Sequence, residues 1–345
     1  MILDLAYTLL TPCITLAFIS VLCEKLKEQK GMTENDGAVR LRGMHLSKER
    51  KISAVIILIV FFASFTYLFV PQIAVSCTRT PRRPDIIAHR GDSANAPENT
   101  MPAFLLAESG DVSQWIEFDV RQTKDRQAVI SHDDNLIDKI GRTAYIHDMT
   151  YEELKDLDVG GWFSDEFKGT YISTLSEMLD TFKGTEIDLM IELKPTPYDQ
   201  DLEKQVINLI HEKNMAEQCV VTSLNYKTVE TVKALDSDIT TLYNMTAAAG
   251  HVELIPAADY YSIEESSISE EMVQDIHDAG KKIFAWTVNS VESVQFLIDV
   301  GVDGILTDEP GLIDFALSYS DYGSGFARLI RMSTENRNFI RSLGI

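Results

Sequence analysis

From about Ile86 onward the chain alternates short apolar runs with longer stretches in which apolar residues return every three or four positions. The runs are DIIAH, WIEFDV, AVISH, LMIELK, VVTSL, TTLYNM, YYSI, IFAWTV and GILTD, with the length and branched content of buried strands. Between most of them lie helical patterns such as LEKQVINLIHEKN, YKTVETVKALD, SEEMVQDIHDAG and VESVQFLIDVG, several closed by Gly. Strands alternating with helices predict an α/β fold with a parallel sheet. One connection is too short for a parallel crossover: only Arg121 to Gln127 separates WIEFDV from AVISH, so these two runs form a hairpin. A turn centred near Lys124 and Asp125 then sets Glu117 roughly opposite His132. Eight βα strands remain, the number that closes a (β/α)8 TIM barrel, here distorted by the β-hairpin after strand 2. An open doubly wound sheet is the runner-up. Asp133 to Thr174 is a long insertion that holds MTYEEL, a capped helix start with Thr150 as N-cap and Glu153 at the third helical position. An insertion of that size on the catalytic face most often shapes substrate access.

Two earlier segments, about 5–23 and 52–75, are apolar over the roughly 20 residues that a helix needs to cross a bilayer. The first lacks the basic amino-terminal flank of a signal peptide and carries Asp4 instead. Eight Lys and Arg lie between the spans, whereas only Arg79, Arg82 and Arg83 follow the second before the barrel begins. Short loops rich in Lys and Arg stay in the cytoplasm. The expected organisation is a hairpin of two transmembrane helices over 1–77, a linker over 78–84, the barrel over 85–315 and a tail over 316–345. The protein is expected in the cell membrane, multi-pass, with the barrel outside the cytoplasm. Residues 84–345 carry 20 Lys and Arg against 47 Asp and Glu, a net of −27. A surface that acidic argues against nucleic acid as a partner and is compatible with hard cations. The four cysteines show no disulfide framework or metal-type spacing.

The candidate chemistry gathers at strand ends. His89 and Arg90 follow the first run. Glu117 and Asp119, two apart on the second, point to one face, which is the barrel interior if Ile116 and Phe118 face outward. Glu192 and Lys194 stand near the end of LMIELKP. Singly, each carboxylate reads as half of a salt bridge, Glu117 with Arg90 or Glu192 with Lys194. Together, three oxygen donors without clustered thiols favour a metal site for Ca²⁺ or Mg²⁺. His89 and His132 beside such a site, with Arg90 and Lys194 as fixed cations, suit proton transfer to and from a phosphodiester. His45, His147, His211, His251 and His277 read as surface or satisfied histidines.

HRGDSANAPENT, then WIEFDVRQTKDRQAVISHDDNL, MIELKP, FAWTVN and GVDGILTDEP resemble the glycerophosphodiester phosphodiesterases in order, spacing and residue type. The resemblance covers Ile86 to about Leu312. It implies a distorted (β/α)8 barrel that hydrolyses glycerophosphodiesters to sn-glycerol 3-phosphate and an alcohol with a divalent cation. By position it implies catalysis by His89 and His132 and metal binding by Glu117, Asp119 and Glu192. It also implies phosphate contacts from Arg90 and Lys194 and an aromatic wall from Trp286. Glu98 and Asn99 of PENT match a motif that either supports the first loop or touches substrate. Ser173 stands where the family usually has Pro, and NLIDKIGRTA lacks the usual Arg after its leucine, with Arg142 nearby. The two spans resemble the last part of a multi-span module found ahead of this domain in some bacterial members, so a short version or a fragment of one is expected. A lysophospholipase D or phospholipase-like enzyme is the alternative within enzymes, and an inactive membrane-tethered binding module the alternative outside them.

Overall fold

The structure, a computed structural model, describes residues 83–248 and 250–321. All nine apolar runs form strands: β1 Asp85–His89, β2 Trp115–Gln122, β3 Ala128–Ile130, β4 Asp188–Leu193, β5 Cys219–Ser223, β6 Thr240–Met245, β7 Tyr260–Glu264, β8 Lys282–Trp286 and β9 Gly304–Thr307. β1 pairs in parallel with β9 on one edge and with β2 on the other, so eight parallel strands close on themselves. Closure excludes the open sheet. β3 is the exception, running antiparallel to the far end of β2.

Around the barrel lie α1 Met101–Ser109, α2 Ile137–Ile140, α3 Tyr151–Leu154, α4 Leu175–Phe182, α5 Leu202–Glu212, α6 Tyr226–Leu235, α7 Glu270–Asp278, α8 Val291–Val300 and α9 Pro310–Asp321. β6 and β7 are joined without an α-helix, through a single 3-10 turn at Val252–Leu254. α3 begins as its sequence dictates: the Glu153 carboxylate accepts hydrogen bonds from the Thr150 N–H at 2.8 Å and its hydroxyl at 2.9 Å. α8 is closed by Gly301 in the left-handed region at φ 89°.

Period-two alternation sorts the barrel into an outer and an inner face. Ala88, Ile116, Phe118 and Val120 face outward and pack with Leu175, Leu179 and Val206 of the helices. Ile87, Trp115, Met190, Val220, Leu242, Phe284 and Leu306 form an apolar plug inside. Gly304 is required there, since a Cβ at that position would meet Phe284 Cδ1 at 2.4 Å and Ile87 Cδ1 at 2.7 Å. Two residues further along the same strands, the inner face becomes polar: His89, Glu117, Glu192, Thr222, Asn244 and Trp286. This layer sits at the carboxyl ends of the strands, where barrels of this type carry their sites. In the insertion Leu136, Ile146, Leu154, Val159 and Ile172 form a small core that packs on Val129 of β3.

Two expectations are corrected. The hairpin pairs Val120 with Ile130, one residue out from the register that would set Glu117 opposite His132. His132 instead follows the last paired residues and arrives beside Asp119, whose carbonyl accepts the Ser131 N–H at 2.9 Å. The boundary at 315 falls inside α9, whose Ala316 and Leu317 are buried against the core because the helix covers β1. The membrane spans over 5–23 and 52–75 lie outside the described residues. Among the described residues no helix is long and apolar enough to cross a membrane.

Candidate active site

The chain turns sharply after β1, with Arg90 at φ 58° and Gly91 at φ 83°, so that His89 and Arg90 both face the rim. Gly91 has no room for a side chain; a Cβ would lie 2.7 Å from the Ala103 carbonyl carbon. His89 Nδ1 is 2.7 Å from Asp308 Oδ1, at the end of β9. Asp308 is fixed by the Asn289 amide, which donates at 2.6 Å, and by the Ser93 hydroxyl at 3.1 Å. Burial opposes a charged imidazole at His89, but the hydrogen bond to Asp308 and the Glu117 carboxylate outweigh it, and the pKa is raised. Asp308 correspondingly falls to about 2, burial being outweighed by its bond to His89.

Glu117, Asp119 and Glu192 come together: each offers a carboxylate oxygen, and the three lie within 4.8 Å of one another. Glu117 and Asp119 are each only 1% exposed. Burial, then Asp119, drives the Glu117 pKa up to about 8. Glu192 is raised for the same two reasons in the same order. Asp119 goes the other way: burial would raise it, yet Lys194, Arg90 and His132 hold it down. Lys194 Nζ lies 2.8 Å from Glu192 and 3.2 Å from Asp119. Arg90 Nε lies 3.5 Å from Asp119, and its backbone N–H donates to Glu117 Oε2 at 2.9 Å.

Asn99 decides between the two readings of PENT. Its amide donates to Asp119 Oδ2 at 2.7 Å and its carbonyl accepts the Asp119 N–H at 3.0 Å, so it pins the carboxylate rather than reaching outward. Glu98 accepts from Arg90 at 2.7 Å and from Lys139 at 2.6 Å. His132 Nδ1 lies 3.0 Å from Asp133 Oδ1. Burial, with Arg90 and Lys194 nearby, lowers its pKa despite Asp119. Trp286 is the last residue of β8 and packs, partly buried, on the apolar plug.

The donor set fits a hard divalent cation. Glu117 Oε1 is buried without a hydrogen-bond partner among the described residues, as are Thr222 Oγ1, Asn244 Oδ1 and Trp286 Nε1 of the same layer. Buried polar atoms are normally paired, so unpaired ones concentrated in one layer mark a place where something else binds. Of the residues singled out from the sequence, His89, Arg90, Glu117, Asp119, His132, Glu192 and Lys194 act on one another directly. Asp308 was missed because its partner His89 is 219 residues away, and only barrel closure brings β9 beside β1. The acidic residue directly after GILT was its signal. Arg121 was missed because the sequence placed it in the turn, whereas it is in β2. Its guanidinium donates to the His132 carbonyl at 2.7 Å and to the Lys194 carbonyl at 3.4 Å, tying both loops together. Among the other histidines, His147, His211, His251 and His277 each lie within 3.0 Å of a carboxylate; His45 lies outside the described residues.

Three convergent carboxylates, two histidines and two fixed cations at the carboxyl rim of a (β/α)8 barrel suit metal-assisted acid–base chemistry on an anionic substrate. The chain belongs to the glycerophosphoryl diester phosphodiesterase family, whose sequence profile matches residues 89–312. YhdW of Bacillus subtilis is 36% identical over 234 residues, 66% of this chain and 96% of its own length. A glycerophosphodiester phosphodiesterase of Caldanaerobacter subterraneus is 34% identical over 232 residues, 65% of this chain and 94% of its own. An Oleispira antarctica phosphodiesterase, solved in complex with the product sn-glycerol-3-phosphate, is 32% identical with a TM-score of 0.62, covering 68% of this chain and 97% of that one.

Proposed function

We propose that the protein hydrolyses glycerophosphodiesters to sn-glycerol 3-phosphate and an alcohol, with a divalent cation held by Glu117, Asp119 and Glu192. The observation that carries this reading is the convergence of those three carboxylates within 4.8 Å, beside an unpaired buried Glu117 oxygen. Oxygen-only donors suit Mg²⁺ or Ca²⁺. When bound, such an ion supplies Lewis-acid neutralisation of phosphate charge. Arg90 and Lys194, already drawn against Asp119, contribute the remaining positive charge at the rim. His132, kept neutral by burial and its cationic neighbours, withdraws a proton from the attacking hydroxyl or water. His89, whose pKa the hydrogen bond to Asp308 raises against burial, delivers a proton to the departing alcohol oxygen. Trp286 walls the pocket on the β8 side.

The membrane hairpin and the outer-face location are part of this proposal, supported by the apolar spans and by the eight Lys and Arg between them. Steady-state release of sn-glycerol 3-phosphate from glycerophosphocholine tests the activity, and undiminished turnover in His89→Ala or His132→Ala overturns the acid–base assignment. Lysophosphatidylcholine as a parallel substrate separates a lysophospholipase D. Protease digestion of the barrel in intact cells tests the topology; digestion only after lysis reverses it.

A further inference from the structure

Arg90, the cation assigned to the substrate phosphate, is contested by two acids. Its guanidinium meets Glu98 at 2.7 Å and Asp119 at 3.5 Å, while Arg90 Nε is buried without a hydrogen-bond partner among the described residues. Asp119 divides its charge, since Lys194 lies 3.2 Å from its other oxygen. Glu98 is the closer acid, and a carboxylate held that tightly would cancel most of the charge Arg90 could offer an incoming phosphate. The second Glu98 oxygen, however, is taken by Lys139 Nζ at 2.6 Å. Lys139, Glu98 and Arg90 thus form a row of charges, plus, minus, plus, whose sum is one positive charge rather than none.

Fastening the insertion does not account for Lys139. It comes from α2, and its side chain is only 8% exposed. Taking an ammonium out of water is costly, and a buried ion pair seldom stabilises a fold more than apolar residues of the same size do. Glu98 is its one ion-pair partner among the described residues, with the Trp162 ring 5.5 Å from Nζ. The charge is felt where it is aimed. Burial would raise the Glu98 pKa, yet Lys139 and then Arg90 hold it below its ordinary value, so Glu98 stays ionised with Lys139 as its principal counter-charge.

We propose that Lys139 is a positioning residue for the reaction: it neutralises Glu98, so that Glu98 holds the Arg90 guanidinium in place without cancelling the charge Arg90 presents to the phosphate. This rests on the catalytic reading above and adds to it a residue of the insertion that never touches substrate. Arg90 needs such an anchor because it leaves β1 in the left-handed region, at φ 58°, with its backbone N–H already given to Glu117. Its one side-chain hydrogen bond among the described residues is the one to Glu98.

The test is kcat/KM for glycerophosphocholine, measured with the full chain in detergent micelles and saturating Mg²⁺. Lys139→Gln and Lys139→Met, which remove the charge at similar size, should each fall about tenfold, the worth of one charge-assisted contact. Adding Glu98→Gln to either should restore kcat/KM to within about threefold of wild type, because the new amide still accepts from Arg90 and carries no charge. A lysine that only packed the insertion would show no such rescue. Single variants at the wild-type value, or double variants no better than the singles, overturn the role of Lys139. A wild type that turns over no glycerophosphodiester contradicts the catalytic reading alone. Calorimetry with sn-glycerol 3-phosphate in Mg²⁺ then decides Lys139: about tenfold weaker binding by the single variants with recovery in the doubles supports the role, and equal binding, or none by the wild type, overturns it.

Discussion

Asp308→Asn keeps the shape of the residue that holds His89 and removes its charge. The 2.7 Å contact is a charge-assisted hydrogen bond, a class that contributes about 1.5–3 kcal/mol. Asp308 is 37% exposed, and solvent screening puts this bond at the lower end, about 1.5 kcal/mol or roughly tenfold in rate. The sign of the pH dependence follows from the direction of the shift. Asp308 raises the His89 pKa, so its loss lets His89 release the proton at lower pH, and the general acid is depleted as pH rises. Turnover of glycerophosphocholine by the variant should therefore fall about tenfold near neutrality and further at pH 8, with the smallest deficit near pH 6. A cation at Glu117 acts on both proteins alike, so the comparison isolates Asp308. Stability gives a second reading. The raised His89 pKa stabilises the fold fully below about pH 6.5, the unfolded value, and that contribution is lost as pH climbs through the folded value. The Asp308 side of the pair holds above its ordinary range near pH 4 and is lost as pH falls toward 2. A deficit equal at pH 6 and pH 8, or no deficit, would refute the assignment of His89 as a proton donor held by Asp308.

Three further substitutions read other parts of the site. Glu117→Gln should raise the melting temperature of chelated protein at pH 8. In the wild type a carboxyl whose pKa is pushed up to about 8 loses stability as pH rises from its unfolded value toward 8. The same variant should abolish the melting shift on adding Mg²⁺ or Ca²⁺, about 2.7 kcal/mol at a hundred times Kd in the wild type; a retained shift places the ion elsewhere. Arg121→Met should lower kcat about tenfold with little change in KM, because it frees the backbones carrying His132 and Lys194. Arg121→Lys should recover part of that loss, and a change confined to KM contradicts a positioning role. Gly91→Ala should destabilise by about 2–3 kcal/mol in urea unfolding, since φ is +83° and Ala103 fills the space; a loss under 0.5 kcal/mol contradicts the close contact.

The strands were legible because each is buried on both faces and so written as a continuous apolar run bounded by polar turns. The short connection at Arg121–Gln127 announced the hairpin. It did not announce the register, because a turn's centre is uncertain by one residue and one residue changes every cross-strand partner. Glu117, Asp119 and Glu192 stood out because acids on an otherwise apolar strand demand a cation. Asp308 and Lys139 did not, because each does its work on a residue distant in sequence, His89 for one and Glu98 for the other. The departure at Ser173 has a bland outcome: it is buried, and its carbonyl accepts the Ile130 N–H at 2.9 Å beside β3.

The central claim is that the cation-binding carboxylates and the two histidines form one catalytic rim for glycerophosphodiesters. Its most direct test is release of sn-glycerol 3-phosphate by the full-length protein before chelation, after it, and after adding back Mg²⁺ or Ca²⁺. The expected result is loss of turnover on chelation and recovery with at least one of the two ions, in wild type but not in Glu117→Gln. Turnover that survives chelation unchanged contradicts it.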